Sequence, residues 1–224
     1  MHPLDRPVWN ALTSRQAHLA RGDARAVRFD ADYGLFAAAA DPADSDAVDA
    51  LVPANGAIGL VEAHQPALPA GVTVKPAICN QMIAEAITPG TARFDVVTLG
   101  DGDAEEMLTL ATLTQPGPFF AKTQRLGEFI GVKVGGKLVA MAGERMKLAG
   151  FTEVSGVCTH PDHRGKGYAG GLMRIVAQKI VARGETPFLH VYADNAGAIA
   201  LYEALGFHFR AALHFILLSR SPSA

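Results

Sequence analysis

Between residues 169 and 180 the apolar side chains Ala169, Leu172, Met173, Val176, Ala177 and Ile180 recur at three- and four-residue spacing, with Arg174 and Gln178 opposite them. That period predicts an amphipathic helix, and Gly184 supplies its stop. A shorter period governs the stretch ahead of it. In GEFIGVKVGGKLVAMAGERM two β-rich runs meet at Gly135 and Gly136, and a third run, Phe151 to Thr159, follows the KLAG turn at 147 to 150. Three antiparallel strands in a meander are expected. Beyond the helix, Pro187 to Tyr192 reads as a strand, Asn195 to Leu205 as a helix closed by Gly206, and Phe207 to Leu218 as two short strands.

The pattern before residue 90 is more broken. Pro7 opens a helix through Leu19, with Val8, Trp9, Leu12 and Leu19 mainly on one face. A strand is expected around Tyr33 to Ala39, a helix at Ser45 to Leu51, and strands at Ala57 to Val61 and Val72 to Ala84. TPGTAR, 88 to 93, reads as a turn or linker. Phe94 to Leu99 follows as a strand. Asp101 or Asp103 then caps a helix holding Met107, Leu108, Leu110 and Ala111, which QPGP at 115 to 118 ends.

Composition narrows the class. Of 224 residues 49% are hydrophobic, enough for a real core. Twenty basic against 22 acidic side chains, a net charge of −2, leave no broad footprint for nucleic acid or an anionic membrane. Any phosphate binding must be local. Cys79 and Cys158 stand outside any CxxC pair, so neither a disulfide framework nor a metal site is expected, and a reducing cytoplasm fits best. No basic, then apolar, leader opens the chain, and no apolar run approaches the roughly 18 residues of a spanning helix. Oligomeric state is not legible here.

The chemistry concentrates in HPDHRGKGYAGG, residues 160 to 171. A strand, a glycine-rich turn and a helix N-terminus in succession make an anion site, because unpaired amides converge there and the helix dipole adds positive charge. The spacing is not GxxxxGK[ST], and GxGxxG is only half matched. It does carry R-x-x-G-x-A, as Arg164, Gly167 and Ala169. That pattern after an antiparallel strand resembles the acyl-CoA pyrophosphate loop of the GNAT superfamily of N-acetyltransferases. DNAGAIALYEALGF, 194 to 207, is similar to the family's downstream helix. The resemblance spans residues 91 to 218. AMAGERM, VCTHPDHRGKGYAG and GETPFLHVYADN further resemble a branch similar to the glycine N-acyltransferases, whose catalytic half follows a variable α/β half. The resemblance implies an α/β fold, a mixed, mostly antiparallel sheet flanked by helices. It also implies a catalytic region at 91–224, after a smaller α/β region at 1–90 that walls the acceptor site.

Acyl transfer from a thioester to an amine needs a held donor, a neutral amine, a stabilised oxyanion and a proton for the departing thiolate. The amides of Arg164, Gly165, Lys166, Gly167, Tyr168 and Ala169 are candidates for the pyrophosphate of acetyl-CoA. By the resemblance, the strand at Val157, Cys158 and Thr159 splays from the 188 to 192 strand to admit the pantetheine. Asn195 and Tyr202, seven residues apart, stand roughly 10 Å apart along one helix face. The family role carried to Asn195 is a pantetheine hydrogen bond; that carried to Tyr202 is thiol contact and general acid. A phenol near pKa 10 donating to a thiolate near about 8.5 runs uphill, so hydrogen bonding to sulfur is its main expected contribution.

For the base, Glu153 lies eleven residues before Arg164, matching without gaps the catalytic glutamate of the histone-acetylating branch. Strand alternation puts it on the same side as Val157. Glu144, His160 and His190 compete with it. An α-amine near pKa 8 costs only ~1.4 kcal/mol to deprotonate at pH 7, against roughly 4.6 kcal/mol for a lysine-like amine. The expected acceptor is a small-molecule amine or amino acid. Plainer readings stand beside these: Tyr202 and His190 as core residues, Glu153 as a solvated strand residue, His160 as a loop residue and Cys158 as packing. A domain that binds CoA without turnover and a nucleotide-phosphate binder are the alternatives in function.

Overall fold

In a computed structural model describing residues 2–220, α1 (Pro7–Leu12) precedes a small antiparallel sheet of β1 (Ala20–Gly22), β2 (Ala26–Phe29) and β3 (Ala37–Ala39). Next come α2 (Ser45–Leu51), β4 (Ala57–Glu62), β5 (Val72–Ile83), β6 (Val97–Leu99) and α3 (Ala104–Thr114). The meander follows as β7 (Phe129–Val134), β8 (Lys137–Leu148) and β9 (Phe151–Thr159). The chain ends with α4 (Tyr168–Ala182), β10 (Thr186–Tyr192), α5 (Ala196–Ala204) and β11 (His208–Arg220).

β4 to β11 form one sheet of eight strands in the order β4-β11-β5-β10-β9-β8-β7-β6. Every neighbouring pair is antiparallel except β9 with β10. This is the expected α/β architecture, a large, mostly antiparallel sheet flanked by helices. The TPGTAR segment does not divide the sheet, because β4 and β5 come from before it. β5 lies between β10 and β11, pairing with both.

The apolar patterns decide which face each helix covers. On one face α4 buries Leu172, Met173, Val176, Ala177 and Ile180 against Met82, Ile130, Ala140, Val154 and Leu189. Each large side chain so buried contributes about 1.5–3 kcal/mol. On the other face Leu4, Val8 and Leu12 pack with Phe36, Met146, Phe188, Leu213 and Phe215. α3 sets Met107 and Leu110 on Phe129, Met141 and Cys158. At Gly143 the Phe129 ring lies so close that an added Cβ would meet it at 2.3 Å.

Several expected elements differ. The helix from Pro7 stops at Leu12 instead of Leu19. The Thr13 hydroxyl donates back to Trp9 O at 2.7 Å, and Ser14 does the same to Asn10 O, a local competition that unwinds helices. Gln16 is then drawn into tertiary contact: its Nε2 donates to Arg145 O at 2.7 Å and its Oε1 accepts from Lys147 N at 3.0 Å. Those groups sit where β8 loses register with β9, so the side chain replaces missing ladder bonds. The strand expected at Tyr33–Ala39 contracts to Ala37–Ala39, that at Phe94–Leu99 to Val97–Leu99, and β1 and β2 were not anticipated. Phe207–Leu218 is not two strands but one, with a register shift between Phe209 and Ala211. Arg210, at the shift, pairs with Asp5 at 2.6 Å and donates to Gln81.

Candidate active site

β9 and β10 run side by side only from Phe151–Thr186 to Glu153–Phe188. Beyond that point they part. On β9, Ser155 opposes Gly143 and Cys158 opposes Met141, so Gly156 and Val157 together face Ala142. Two residues against one is a β-bulge, which bends its strand and re-aims its side chains. Gly156 takes φ 64°, and an added Cβ there would lie 2.8 Å from the Phe129 ring. β10 instead stays with β5 as far as Tyr192–Cys79. Between the two strands opens a cavity of about 860 Å³, walled by Val154–Thr159, Leu189–Tyr192, the glycine loop and α5.

The glycine loop closes one end. Gly165 and Gly167 both take φ 76°, a region glycine enters without strain. Gly167 precedes α4, whose first bond runs from Gly171 N to Gly167 O at 3.0 Å. The amides of Tyr168, Ala169 and Gly170 therefore have no intrahelical acceptor and face outward from the helix end. Arg164 and Lys166 are exposed, and neither forms an ion pair among the described residues; Lys166 Nζ stands 3.4 Å from His163 Nδ1. Tyr168 turns its ring edge-on to Phe94, 4.9 Å between centroids.

Asn195 caps α5, its Oδ1 accepting from Ala198 N at 3.2 Å, which leaves Nδ2 for another partner. Tyr202 lines the cavity, and its hydroxyl has no hydrogen-bond partner among the described residues. Burial raises this phenol above its ordinary value of 10, so its proton is held more firmly than expected. Val157, Cys158 and Thr159 also line the cavity. The buried Thr159 Oγ1 has no hydrogen-bond partner among the described residues. Burial pushes the Cys158 thiol up to about 11 against weaker hydrogen bonding from Thr114 and Met141, which suits packing and not nucleophilic attack.

Glu153 does not stand where a direct base would. It is fully buried and absent from the cavity wall. The alternation argument fails at Gly156: the bulge sends Val154 and Val157 together toward α4, while Glu153 faces the other way. Its carboxylate accepts from Arg145 Nε at 2.8 Å and Nη2 at 2.7 Å, and lies 2.7 Å from His190 Nδ1. Burial alone would raise this carboxyl, but the Arg145 charge and hydrogen bonds, joined by His190, hold it down at about 2. Buried away from the cavity wall and held ionised by Arg145, this carboxylate has no direct contact to offer an amine in the cavity.

The neighbouring network fixes the histidine. Gln81 Oε1 accepts from Arg210, so its Nε2 faces Leu4 O at 3.0 Å and His190 Nε2 at 3.0 Å. His190 Nε2 must then accept, and Nδ1–H donates to Glu153. Of the four base candidates His190 is the one on the cavity wall. Glu144 is buried between Arg183, at 2.6 Å, and Lys147, at 2.8 Å; His160 caps the turn at Pro161–His163 by accepting from Asp162 N at 3.3 Å. Sequence reasoning missed Phe36, Arg145, Ser155 and Phe215, which complete the wall opposite the loop. An arginine eight residues before Glu153, across a tight turn, was the one available signal.

A family model described as FR47-like protein matches residues 130–216. A crystal structure from Novosphingobium aromaticivorans, assigned to acetyltransferases of the GNAT family, is 46% identical over 99% of this chain and 100% of its own, with a TM-score of 0.93. A GCN5-related N-acetyltransferase from Kribbella flavida is 19% identical over 96% of each chain, with a TM-score of 0.62. A GCN5-related N-acetyltransferase-like protein from Streptococcus suis is 17% identical over 94% and 92%, with a TM-score of 0.57. The last two share the fold. Curated proteins give no match.

Proposed function

Because the chain belongs to the GNAT family of acetyltransferases, we propose that it moves the acetyl group of acetyl-CoA directly to a primary amine of a small molecule or amino acid. The observation that carries this reading is the parting of β9 from β10 beside a helix N-terminus with free amides. The donor fits what the residues offer: unpaired amides and two cations at one end, and the Tyr202 phenol on the same cavity. Bound acetyl-CoA supplies the thioester: its C–S bond breaks as the C–N bond to the neutral amine forms, and the proton that nitrogen sheds balances the charge of the departing CoA thiolate.

The amides of Gly165 to Ala169, with Arg164 and Lys166, bind the diphosphate. Main-chain groups of Val157, Cys158 and Thr159 and Nδ2 of Asn195 bond the pantetheine arm. Tyr202 keeps its proton and donates a hydrogen bond to the departing sulfur. Glu153 acts through its neighbours, orienting Arg145 and holding the Nδ1–H tautomer of His190. Phe36, Val61 and Cys79 on the cavity wall support a role for residues 1–90 in enclosing the acceptor. The similarity to glycine N-acyltransferases favours a small acceptor, and two free, buried thiols suit a cytoplasmic location.

CoA release from acetyl-CoA, followed with a panel of amines, tests the reading, and turnover with at least one amine is expected. Acetyl-CoA binding without turnover would establish a regulatory domain instead. Greater thermal protection by ATP than by CoA would point to a nucleotide binder.

A further inference from the structure

One wall of the cavity is built differently from the rest. Tyr192, Phe215 and Phe36 form an aromatic row, with neighbouring ring centroids 6.2 Å apart at both steps. The row ends at Arg145, whose guanidinium stands 4.6 Å from the Phe36 ring centroid. All four residues line the cavity. Arg145 Nε and Nη2 are committed to Glu153, while Nη1 has no hydrogen-bond partner among the described residues. Nη1 and the second proton of Nη2 form the other edge of the planar group, a fork that matches a carboxylate. The Glu153 pair and the Phe36 ring hold that fork in place.

Charge points the same way. The acidic side chains contribute nothing to the lining, whose charged members are Arg145, Arg164 and Lys166. With Arg164 and Lys166 taken up by the diphosphate, the free edge of Arg145 is the charged group left to an acceptor: a polycationic acceptor meets no carboxylate on this wall, whereas an acidic one meets a donor edge. We infer that the acceptor is a primary amine bearing both a carboxylate and a large apolar side chain, the Arg145 fork taking the carboxylate and the aromatic row the side chain. This rests on the acetyl transfer proposed above and names its substrate class.

The test is CoA release by the wild-type protein with phenylalanine, phenylalaninamide, phenethylamine, alanine and spermidine. Phenylalanine should exceed phenylalaninamide and phenethylamine in kcat/KM by about tenfold or more, the effect of one charge-assisted contact. A carboxylate makes the amine beside it more basic, so the amide carries more free base at neutral pH and the expected preference runs against that difference. Alanine should fall below phenylalanine. Arg145→Lys keeps a cation beside Glu153 without the fork, and the acid-to-amide ratio should drop toward one. Phe215→Leu should lower the phenylalanine-to-alanine ratio and keep the acid-to-amide ratio. Equal or better use of the amide, of phenethylamine or of spermidine overturns the inference and leaves acetyl transfer standing. No turnover with any amine overturns both.

Discussion

Replacing Glu153 by glutamine keeps the shape of a side chain with no solvent exposure and removes its charge. The Arg145 guanidinium, 11% exposed, is then left without a counter-ion, and an amide NH2 must face donors that previously met a carboxylate. The displacement of the carboxyl pKa from 4.5 to about 2 corresponds to about 3 kcal/mol of folding free energy. Breaking a buried ion pair costs about 3–5 kcal/mol by mutational experience, so two routes agree. Urea denaturation at pH 7 should show Glu153→Gln about 3 kcal/mol less stable, and its Tm lower by roughly 6–12 °C for a chain of this size. The folded value lies below the unfolded one, so this stability is fully present above pH 4.5 and is lost as the pH falls through about 2. The gap between wild type and variant should therefore narrow to about 1 kcal/mol at pH 3. A variant within about 1 kcal/mol of wild type at pH 7, or a gap that stays constant down to pH 3, would refute the reasoning.

Tyr202→Phe removes a hydroxyl with no partner among the described residues, so stability should change by less than about 0.5 kcal/mol while kcat falls about ten- to a hundredfold; unchanged kcat ends the assigned role. Because burial raises that phenol, the wild-type rate should climb as the acceptor amine loses its proton and show no decline from phenol ionisation until beyond about pH 10. At Gly167 an added Cβ meets nothing within 4 Å, so Gly167→Ala should cost only about 1–2 kcal/mol of left-handed strain. Its affinity for CoA by calorimetry should nonetheless fall about tenfold or more, one lost charge-assisted contact. Gly143→Ala drives a methyl into the Phe129 ring, and thermal unfolding should register a loss of about 1–3 kcal/mol.

What could be read from the sequence was local. The α4 stripe repeats with the helix, and the Gly135–Gly136 turn marks its own hairpin, so the glycine loop and its flanks came out nearly as they stand. Ser45–Leu51 likewise matched α2 to the residue. Two kinds of feature stayed hidden. One is a break in an otherwise regular pattern: Gly156 looks like any residue of an alternating strand, and only the Phe129 ring beside it shows why a residue without a Cβ stands at the bulge. The other is a partnership between distant segments. Phe36 and Phe215 belong to opposite ends of the chain, and nothing near either announces a shared wall. Gln16 shows the same limit within a helical pattern, because the backbone groups that claim it lie on β8.

Val72–Ile83 is the common neighbour of two strands made much later. A fragment starting at residue 91 would keep the glycine loop and both helices that flank the cavity, yet leave two rows of backbone donors and acceptors facing each other across a missing strand. Residues 91–224 are thus no transplantable module. On the ribosome, too, this segment emerges long before either flank exists, so the central seam of the molecule is sewn last.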